Sequence, residues 1–150
     1  MTDAVRRLRI LVVEDDPGDQ MLIGEAFAEH GADHEVTMVA DGAEALDYVH
    51  RRGSHTAATR PDLILLDLNL PKYDGRAVLA QIKADESLCT IPVVIFTTSS
   101  RAEDISGAYE LHANAYVTKP VDFDHFTSVV KVINDFFTSA ARLPGPPAAA

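Results

Sequence analysis

The stretch LILLDLNLPKYDG, residues Leu63 to Gly75, contains the pattern from which the fold of this chain can be worked out. Four apolar residues run without interruption into Asp67, and a proline, a lysine and a glycine follow. A short continuous apolar run bounded by turn residues is typical of a strand that is covered on both faces. The sequence therefore predicts a buried strand that ends in a carboxylate, and a helix that begins at Gly75.

Four other apolar runs have a similar character, and helical patterns separate them. The five predicted strands are Leu8–Val13, Glu35–Val39, Asp62–Asp67, Ile91–Phe96 and Ala115–Thr118. The first predicted helix begins at Asp16-Pro17 and ends at Gly31, and the second begins at Asp41. The other three predicted helices cover Gly75–Ala84, Ser100–Leu111 and Phe123–Phe137. Parallel strands need crossover connections, which helices supply. We therefore expect an α/β fold, a (βα)5 doubly wound parallel sheet of five strands, and we expect Ser99 or Ser100 to cap the fourth helix.

Composition limits the classes of partner. The chain has 150 residues, enough for one domain, and its 47% hydrophobic content is that of an ordinary globular protein. Thirteen basic and 23 acidic residues give a formal charge of −10. Nucleic acid and anionic membrane surfaces attract basic proteins, so we expect neither as a partner. We expect a domain over residues 1–137, a mobile Pro/Ala-rich tail over 138–150, and no output domain.

The cellular compartment is predicted from what the sequence lacks. A single cysteine, Cys89, cannot form an internal disulfide, and this fits a reducing compartment. No secretory signal is visible, and no run approaches the ~20 apolar residues of a membrane span. We therefore expect a cytoplasmic protein.

Chemically active residue types follow the ends of four predicted strands. Glu14 and Asp15 follow the first strand, Asp67 the third, Thr97 the fourth and Lys119 the fifth. In a parallel sheet such residues meet at one edge. Three carboxylates in one pocket repel each other unless a cation enters, and hard oxygen ligands at this density suit Mg²⁺. The hydroxyl and the ammonium group then lie where an anion on Asp67 needs donors.

The motifs VVEDDP, LLDLNLPKYDG, VVIFTTSS and AYVTKP together resemble the receiver domain of two-component response regulators, over roughly Leu8 to Phe137. The resemblance implies a flavodoxin-like sheet with strand order 2-1-3-4-5 and makes Asp67 the phosphoacceptor. It also implies a Mg²⁺ site formed by Glu14, Asp15, Asp67 and the backbone carbonyl of Asn69.

The same resemblance assigns a role to the other strand-end residues. Thr97 would hydrogen-bond the phosphoryl group and Lys119 would pair with it, followed by a cis bond to Pro120. Thr97 and the aromatic Tyr116 would form a switch that changes the surface of helix 4, strand 5 and helix 5. Asn69 and Ser99 are hypothesised to set the lifetime of the phosphorylated state.

The resemblance also implies the phosphoryl donor, a sensor histidine kinase or a histidine phosphotransfer protein in a phosphorelay. The segment RPDLILLDLNLPKYDGR, the long connection before it and the Leu-Pro after the fifth helix resemble the single-domain receivers that are paired with phytochrome-type light-sensing kinases. Such a protein signals through protein–protein interaction and assists its own phosphorylation, but it is not an enzyme with turnover.

The fifth helix carries more apolar surface than one core contact requires. One stripe should face the sheet and consists of Phe123, Phe126, Val130, Ile133 and Phe137. A second strip of Val129, Val132 and Phe136 lies beside it. We expect this strip to form a homodimer through helix 5 and strand 5. The alternative is that helix 4 or Leu143 covers it.

Two other functions use related features. A haloacid-dehalogenase-type phosphohydrolase also uses Mg²⁺ and a strand-end aspartate, but it needs a second aspartate at the position that Asn69 occupies. A flavodoxin-like cofactor binder needs a phosphate-binding loop, whereas the first strand is followed by the acidic EDDPGD. The histidines show no metal-ligand spacing, so we interpret them as surface or capping residues.

Overall fold

The computed structural model describes residues 7–29 and 33–145, and over these ranges the chain alternates strands and helices. The strands are β1 (Arg9–Val13), β2 (Glu35–Val39), β3 (Leu63–Leu66), β4 (Val93–Thr97) and β5 (Ala115–Thr118). The helices are α1 (Pro17–Ala28), α2 (Gly42–His50), α3 (Gly75–Ala84), α4 (Ala102–Glu110) and α5 (Phe123–Asp135). A short 3-10 turn at Gly53–His55 follows α2, and a π-helical turn at Phe136–Ala140 follows α5. None of the described helices is long and apolar enough to cross a membrane.

The five strands form one parallel sheet in the order β2-β1-β3-β4-β5, which confirms the predicted fold class and strand order. Val13 of β1 lies opposite Leu66 of β3, and Leu66 lies opposite Ile95 of β4. The carboxyl ends of β1, β3 and β4 are therefore adjacent, and β5 extends this edge from Thr97. In such sheets this edge is where functional sites form.

Two apolar layers cover the two faces of the sheet. One layer packs α2, α3 and α4 on alternate strand residues such as Leu11, Ile64 and Leu66. The other packs α1 and α5 on the remaining ones, such as Leu63 and Leu65. All four residues of β3 are buried, and successive residues point into opposite layers. The uninterrupted apolar run before Asp67 is thus explained by burial on both faces.

Acidic side chains begin four of the helices. Asp16 precedes Pro17 and accepts a hydrogen bond from the Gly18 amide at 2.8 Å. Asp41 accepts from the Glu44 amide at 2.8 Å. Asp74 and Asp122 cap α3 and α5 in the same way. Each carboxylate satisfies an amide that has no partner within its helix.

The expectation that Ser99 or Ser100 caps α4 is wrong. The cap position is Arg101, whose side chain makes no capping hydrogen bond. The Ser99 hydroxyl instead donates to Asp104 Oδ2 at 2.5 Å, and Asp104 also accepts from Arg76 at 2.7 Å. The serine is therefore tied to an ion pair between α3 and α4.

The α5 stripe faces the sheet as predicted, except at its first residue. Four residues of the stripe are buried in the core: Phe126, Val130, Ile133 and Phe137. Phe123 is 61% exposed, contrary to the prediction, because the first turn of α5 follows the exposed Val121 and precedes the apolar layer that begins at Phe126.

The residues after α5 contact the core at several points. Thr138 is buried, and its hydroxyl donates to the Asn134 carbonyl at 2.8 Å. Ala141 and Leu143 pack against the layer formed by α1 and α5. The predicted tail thus begins with residues that touch the domain, and its mobility stays a prediction, since residues 146–150 lie outside the described ranges. Gly31, the predicted end of the first helix, also lies outside them.

One histidine has an internal role that the sequence did not indicate. The half-buried His34 accepts a hydrogen bond from the Leu8 amide at Nδ1, at 2.9 Å. Its Nε2 lies 2.9 Å from Oδ1 of the buried Asn134 and donates to it. His34 therefore links the entrance of β1 to α5. His50 follows the prediction and bonds the Leu46 carbonyl near the end of α2.

Candidate functional site

Asp67 lies directly after β3, at the centre of the carboxyl edge of the sheet. Its amide donates to the Val13 carbonyl at 3.1 Å, so the backbone of the residue continues the pairing of β3 with β1. Its side chain is buried, and Oδ1 accepts from the Asn69 amide at 3.1 Å. Asn69 itself is exposed just beyond the pocket. The strand thus fixes both the position and the orientation of this carboxylate.

Three carboxylates meet at this edge, as the sequence predicted. Glu14, Asp15 and Asp67 each present an oxygen within 4.8 Å of the other two. Glu14 and Asp67 are buried, whereas Asp15 is exposed. Burial raises the pKa of Glu14 to about 7, and the charge of Asp67 adds to the effect while Lys119 opposes it. The oxygen ligands and the excess of negative charge fit a hard divalent cation.

Lys119 brings one positive charge into the acidic pocket. Its backbone amide donates to the Thr97 carbonyl at 2.7 Å, which places the residue just beyond the end of β5. The ammonium group donates to Asp67 Oδ2 at 2.9 Å and also contacts Glu14. Burial lowers the pKa of this ammonium, but the hydrogen bonds to carboxylates outweigh it and hold the pKa above its ordinary value.

Asp19 is a member of the site that the sequence analysis missed. It lies in the first turn of α1, and its Oδ2 accepts from the Lys119 ammonium at 2.9 Å. An acidic residue in a first turn is ordinarily explained by the helix dipole. The only local signal was that α1 starts three residues after Glu14, which places its first turn beside the same edge of the sheet.

Thr97 is the last residue of β4, and its side chain is completely buried. Its hydroxyl oxygen has no hydrogen-bond partner among the described residues. Most buried polar atoms do have a partner, because an unsatisfied one costs about 1–3 kcal/mol. A hydroxyl kept without a partner at this edge is suited to bind a group that arrives there.

Tyr116 lies on β5 opposite Ile95, and its hydroxyl donates to the Ser99 carbonyl at 2.9 Å. Burial raises the pKa of this phenol. Ser99 is the residue whose own hydroxyl bonds Asp104. The Tyr116 hydroxyl therefore contacts the loop that follows Thr97, and the coupling of these two residues stays a prediction.

The peptide bond between Lys119 and Pro120 is trans, as are all peptide bonds among the described residues. The expectation of a cis bond was wrong. The trans form is the lower in free energy by roughly 0.5–1 kcal/mol for a bond that precedes proline, and the amide and ammonium of Lys119 both find their partners with it.

Comparisons with known proteins agree with this geometry. Residues 10–131 match the family described as response regulator receiver domain. The response regulator Rcp1 of Synechocystis is 42% identical over 135 residues, which cover 90% of this chain and 92% of Rcp1.

Two solved structures have the same fold. The phosphorylated cyanobacterial phytochrome response regulator RcpA superposes with a TM-score of 0.90 and 48% identity, over 93% of this chain and 100% of RcpA. The Mn²⁺-bound form of Rcp1 superposes with a TM-score of 0.89 and 41% identity, over 92% of this chain and 99% of the Rcp1 chain.

Proposed function

Because this chain belongs to the response regulator receiver domain family, we propose that Asp67 accepts a phosphoryl group from a phosphohistidine. The observation that carries the proposal is the buried Asp67 carboxylate, which accepts from Lys119 at 2.9 Å. It lies on the same edge as the Thr97 hydroxyl, for which the described part of the chain offers no partner. This edge holds a nucleophile, a cation and a free donor together. Those are the groups that phosphoryl transfer to a carboxylate needs.

The reaction is a displacement at phosphorus. A carboxylate oxygen of Asp67 forms the new bond to phosphorus as the bond to the histidine nitrogen breaks. The electron pair stays on that nitrogen, and the imidazole leaves neutral because it carries a proton taken up from water. Lys119 balances the charge of the phosphoryl oxygens, and the Thr97 hydroxyl donates to one of them. Catalysis on this side consists of positioning and charge neutralisation.

Receiver domains bind a divalent metal, and we assign Mg²⁺ to this one. Glu14, Asp15 and Asp67 would hold it, together with the backbone carbonyl of Asn69. The acidic cluster and the raised pKa of Glu14 support this assignment, as does the Mn²⁺-bound structure of Rcp1. When bound, the cation supplies positive charge to the phosphoryl oxygens.

Phosphorylation is coupled to the surface of α4, β5 and α5 through Thr97 and Tyr116. A hydrogen bond from Thr97 to the phosphoryl group draws the end of β4 toward Asp67. Tyr116, which is bonded to the Ser99 carbonyl, responds to the movement of this loop. Asn69, whose amide bonds Asp67, and Ser99, two residues after Thr97, set the lifetime of the acyl phosphate in this proposal.

The partner is a sensor histidine kinase, and the similarity to RcpA supports one of the phytochrome type. A histidine phosphotransfer protein is the alternative donor. We place the protein in the cytoplasm, where such kinases present their phosphohistidine. It signals through protein contacts and has no catalytic turnover of its own.

We also propose a homodimer through α5 and β5. Val132 is 67% exposed and Phe136 is 53% exposed, whereas Val129 is half-buried beside them. Val132 and Phe136 stay exposed in the presence of Leu143 and α4. This argues against the alternative that the chain itself covers the strip. A C2 interface would bury both residues against their copies.

Incubation with a small phosphodonor and Mg²⁺, followed by intact-mass measurement, tests the proposed function. The wild type should gain one phosphoryl group, and Asp67→Ala should not. An equal gain in the variant would refute the assignment of Asp67. Turnover of small phosphate esters would support the phosphohydrolase alternative instead.

A further inference from the structure

The contact between Asp19 and Lys119 joins two residues that are 100 positions apart along the chain. Its length of 2.9 Å equals that of the contact between Lys119 and Asp67. The Lys119 side chain is only 4% exposed, while that of Asp19 is 24% exposed. Asp19 therefore closes the acidic pocket on the side of α1.

The hydrogen-bond donors of Lys119 are fully used. An ammonium group carries three N–H donors. In Lys119 they serve three carboxylates, those of Glu14, Asp19 and Asp67. A phosphoryl oxygen can therefore bind Lys119 only if one of these contacts is exchanged.

The three carboxylates differ in the other groups that they would bind when the site is occupied. Glu14 and Asp67 belong to the cluster that fits a divalent cation, together with Asp15, and Asp67 is also the proposed point of attachment. Asp19 is not part of that cluster. Of the three contacts with Lys119, the one from Asp19 is the only one whose carboxylate would bind neither the cation nor the phosphoryl group.

We propose that Asp19 is a positioning residue that holds the Lys119 ammonium at the site while its other contacts are exchanged for a phosphoryl oxygen. The inference rests on the proposed phosphoryl transfer to Asp67. A role as a helix-dipole acid alone would require only a negative charge in the first turn of α1. It would not require an ion pair with a buried lysine.

Binding of beryllofluoride, a phosphoryl analogue, at saturating Mg²⁺ tests this role. Asp19→Ala should weaken analogue binding about tenfold, the value expected for a charge-assisted hydrogen bond at a partly exposed group. Asp19→Asn should recover part of the loss, because its amide oxygen can still accept from Lys119. This second variant also keeps the test decisive if the alanine variant folds poorly.

Asp16→Asn is the matched control. It removes one charge from the start of the same helix, and asparagine is as good a helix cap as aspartate. Asp16 bonds the amides of Gly18 and Asp19 rather than Lys119. The control should bind the analogue like the wild type, so a difference between the two asparagine variants reports the contact with Lys119.

Two further measurements separate the proposal from a structural or metal-binding role. With the analogue bound, the ¹⁵N ammonium resonance of Lys119 should be sharp in the wild type and Asp16→Asn, and broadened by solvent exchange in Asp19→Ala. Mg²⁺ affinity should change by less than about twofold, since Asp19 is not a proposed ligand.

The proposal is overturned if Asp19→Ala binds the analogue as tightly as the wild type, or if Mg²⁺ affinity falls as far as analogue affinity. An unchanged Lys119 resonance would overturn it too. Failure of the wild type itself to bind the analogue with Mg²⁺ would count against the proposed function, so the two failures are distinguishable.

Discussion

At the scale of single residues, the buried hydroxyl of Thr97 lowers the stability of the unphosphorylated protein. Its hydroxyl is buried and unpartnered among the described residues. Thr97→Val keeps the shape and removes the polar atom, so it should stabilise the unphosphorylated protein by about 1 kcal/mol in denaturant unfolding. The same variant should lose the stabilisation that beryllofluoride gives the wild type. A clear loss of resting stability would show that the hydroxyl has a partner.

Glu14 gives the resting protein a characteristic pH dependence. Its pKa is raised from 4.5 to about 7 in the folded state, chiefly by burial. The native protein therefore binds more protons than the unfolded chain between these values, and Glu14 lowers stability progressively as pH rises from 4.5 to 7. The loss should approach about 3 kcal/mol and level off only about one pH unit above the folded-state pKa, because Glu14 is still half protonated at that pKa.

Chemical unfolding without Mg²⁺ at a series of pH values measures this effect. Glu14→Gln should flatten the curve over that window, because the amide does not titrate. Wild-type and variant curves of equal slope would mean that Glu14 is not the titrating group.

The individual residues of the site were predictable to different degrees. Asp67, Thr97 and Lys119 were identifiable because each directly follows an apolar run that reads as a strand. Asp19 was not, because it lies inside a helix and its partner is 100 residues away. The helix dipole is a sufficient local explanation for an acidic residue in the first turn of a helix. Only the packing of α1 against the sheet edge shows that Asp19 also pairs with Lys119.

At the scale of elements, α3 begins in close contact with the backbone of the reactive residue, Asp67. A Cβ atom on Gly75 would lie 2.2 Å from the Asp67 carbonyl oxygen and 2.7 Å from Leu68 Cα. Both are backbone atoms, so a side chain can be accommodated only if α3 moves away from Asp67. Gly75→Ala should cost about 3 kcal/mol of stability and slow phosphorylation of Asp67.

Gly107→Ala is the matched control for this substitution. Gly107 lies inside α4, and a Cβ atom there would meet nothing within 4 Å. Alanine should stabilise this helix by about 0.5–1 kcal/mol through its higher propensity. Equal effects of the two substitutions in thermal unfolding would contradict the close approach of α3 to Asp67.

Elements were more predictable in their interiors than at their ends. Strand β3 was evident from its apolar run, and α3 has the predicted bounds. The predicted start of α4 was wrong, because the Ser99 hydroxyl donates to Asp104 and accepts only from the amide of Arg101, the residue at the cap position. Phe123 fits the period of α5 and is nevertheless exposed, since a periodic pattern does not show where the partner layer ends.

At the scale of the whole molecule, two covered sheet faces leave Val132 exposed near the end of α5 and Phe136 exposed at the start of the π-helical turn. If α5 forms the homodimer, Val132→Lys with Phe136→Lys should give a monomer, because two charges would enter the interface. Met21→Lys is the control, since Met21 is similarly exposed but lies on α1. Sedimentation over a range of concentrations, with and without beryllofluoride, measures the change. A wild type that stays monomeric throughout would rule the dimer out.

The topology was the most predictable level of all. Alternating apolar runs and helical patterns allow few arrangements, and parallel strands place all their carboxyl ends at one edge of the sheet. The strand order itself came from resemblance to a family and was confirmed by the pairing of β1 with both β2 and β3. Periodicity alone does not determine which strand becomes central.

The most direct test of the account locates the phosphoryl group chemically. Borohydride reduces an acyl phosphate to an alcohol and so marks the carboxyl group that carried the phosphoryl group. After treatment with a phosphodonor and Mg²⁺, peptide mass spectrometry should find the mark at Asp67, and it should be absent when Mg²⁺ is chelated. A mark at Glu14, Asp15 or Asp19, or no mark on the protein, would contradict the assignment of Asp67 as the phosphoacceptor.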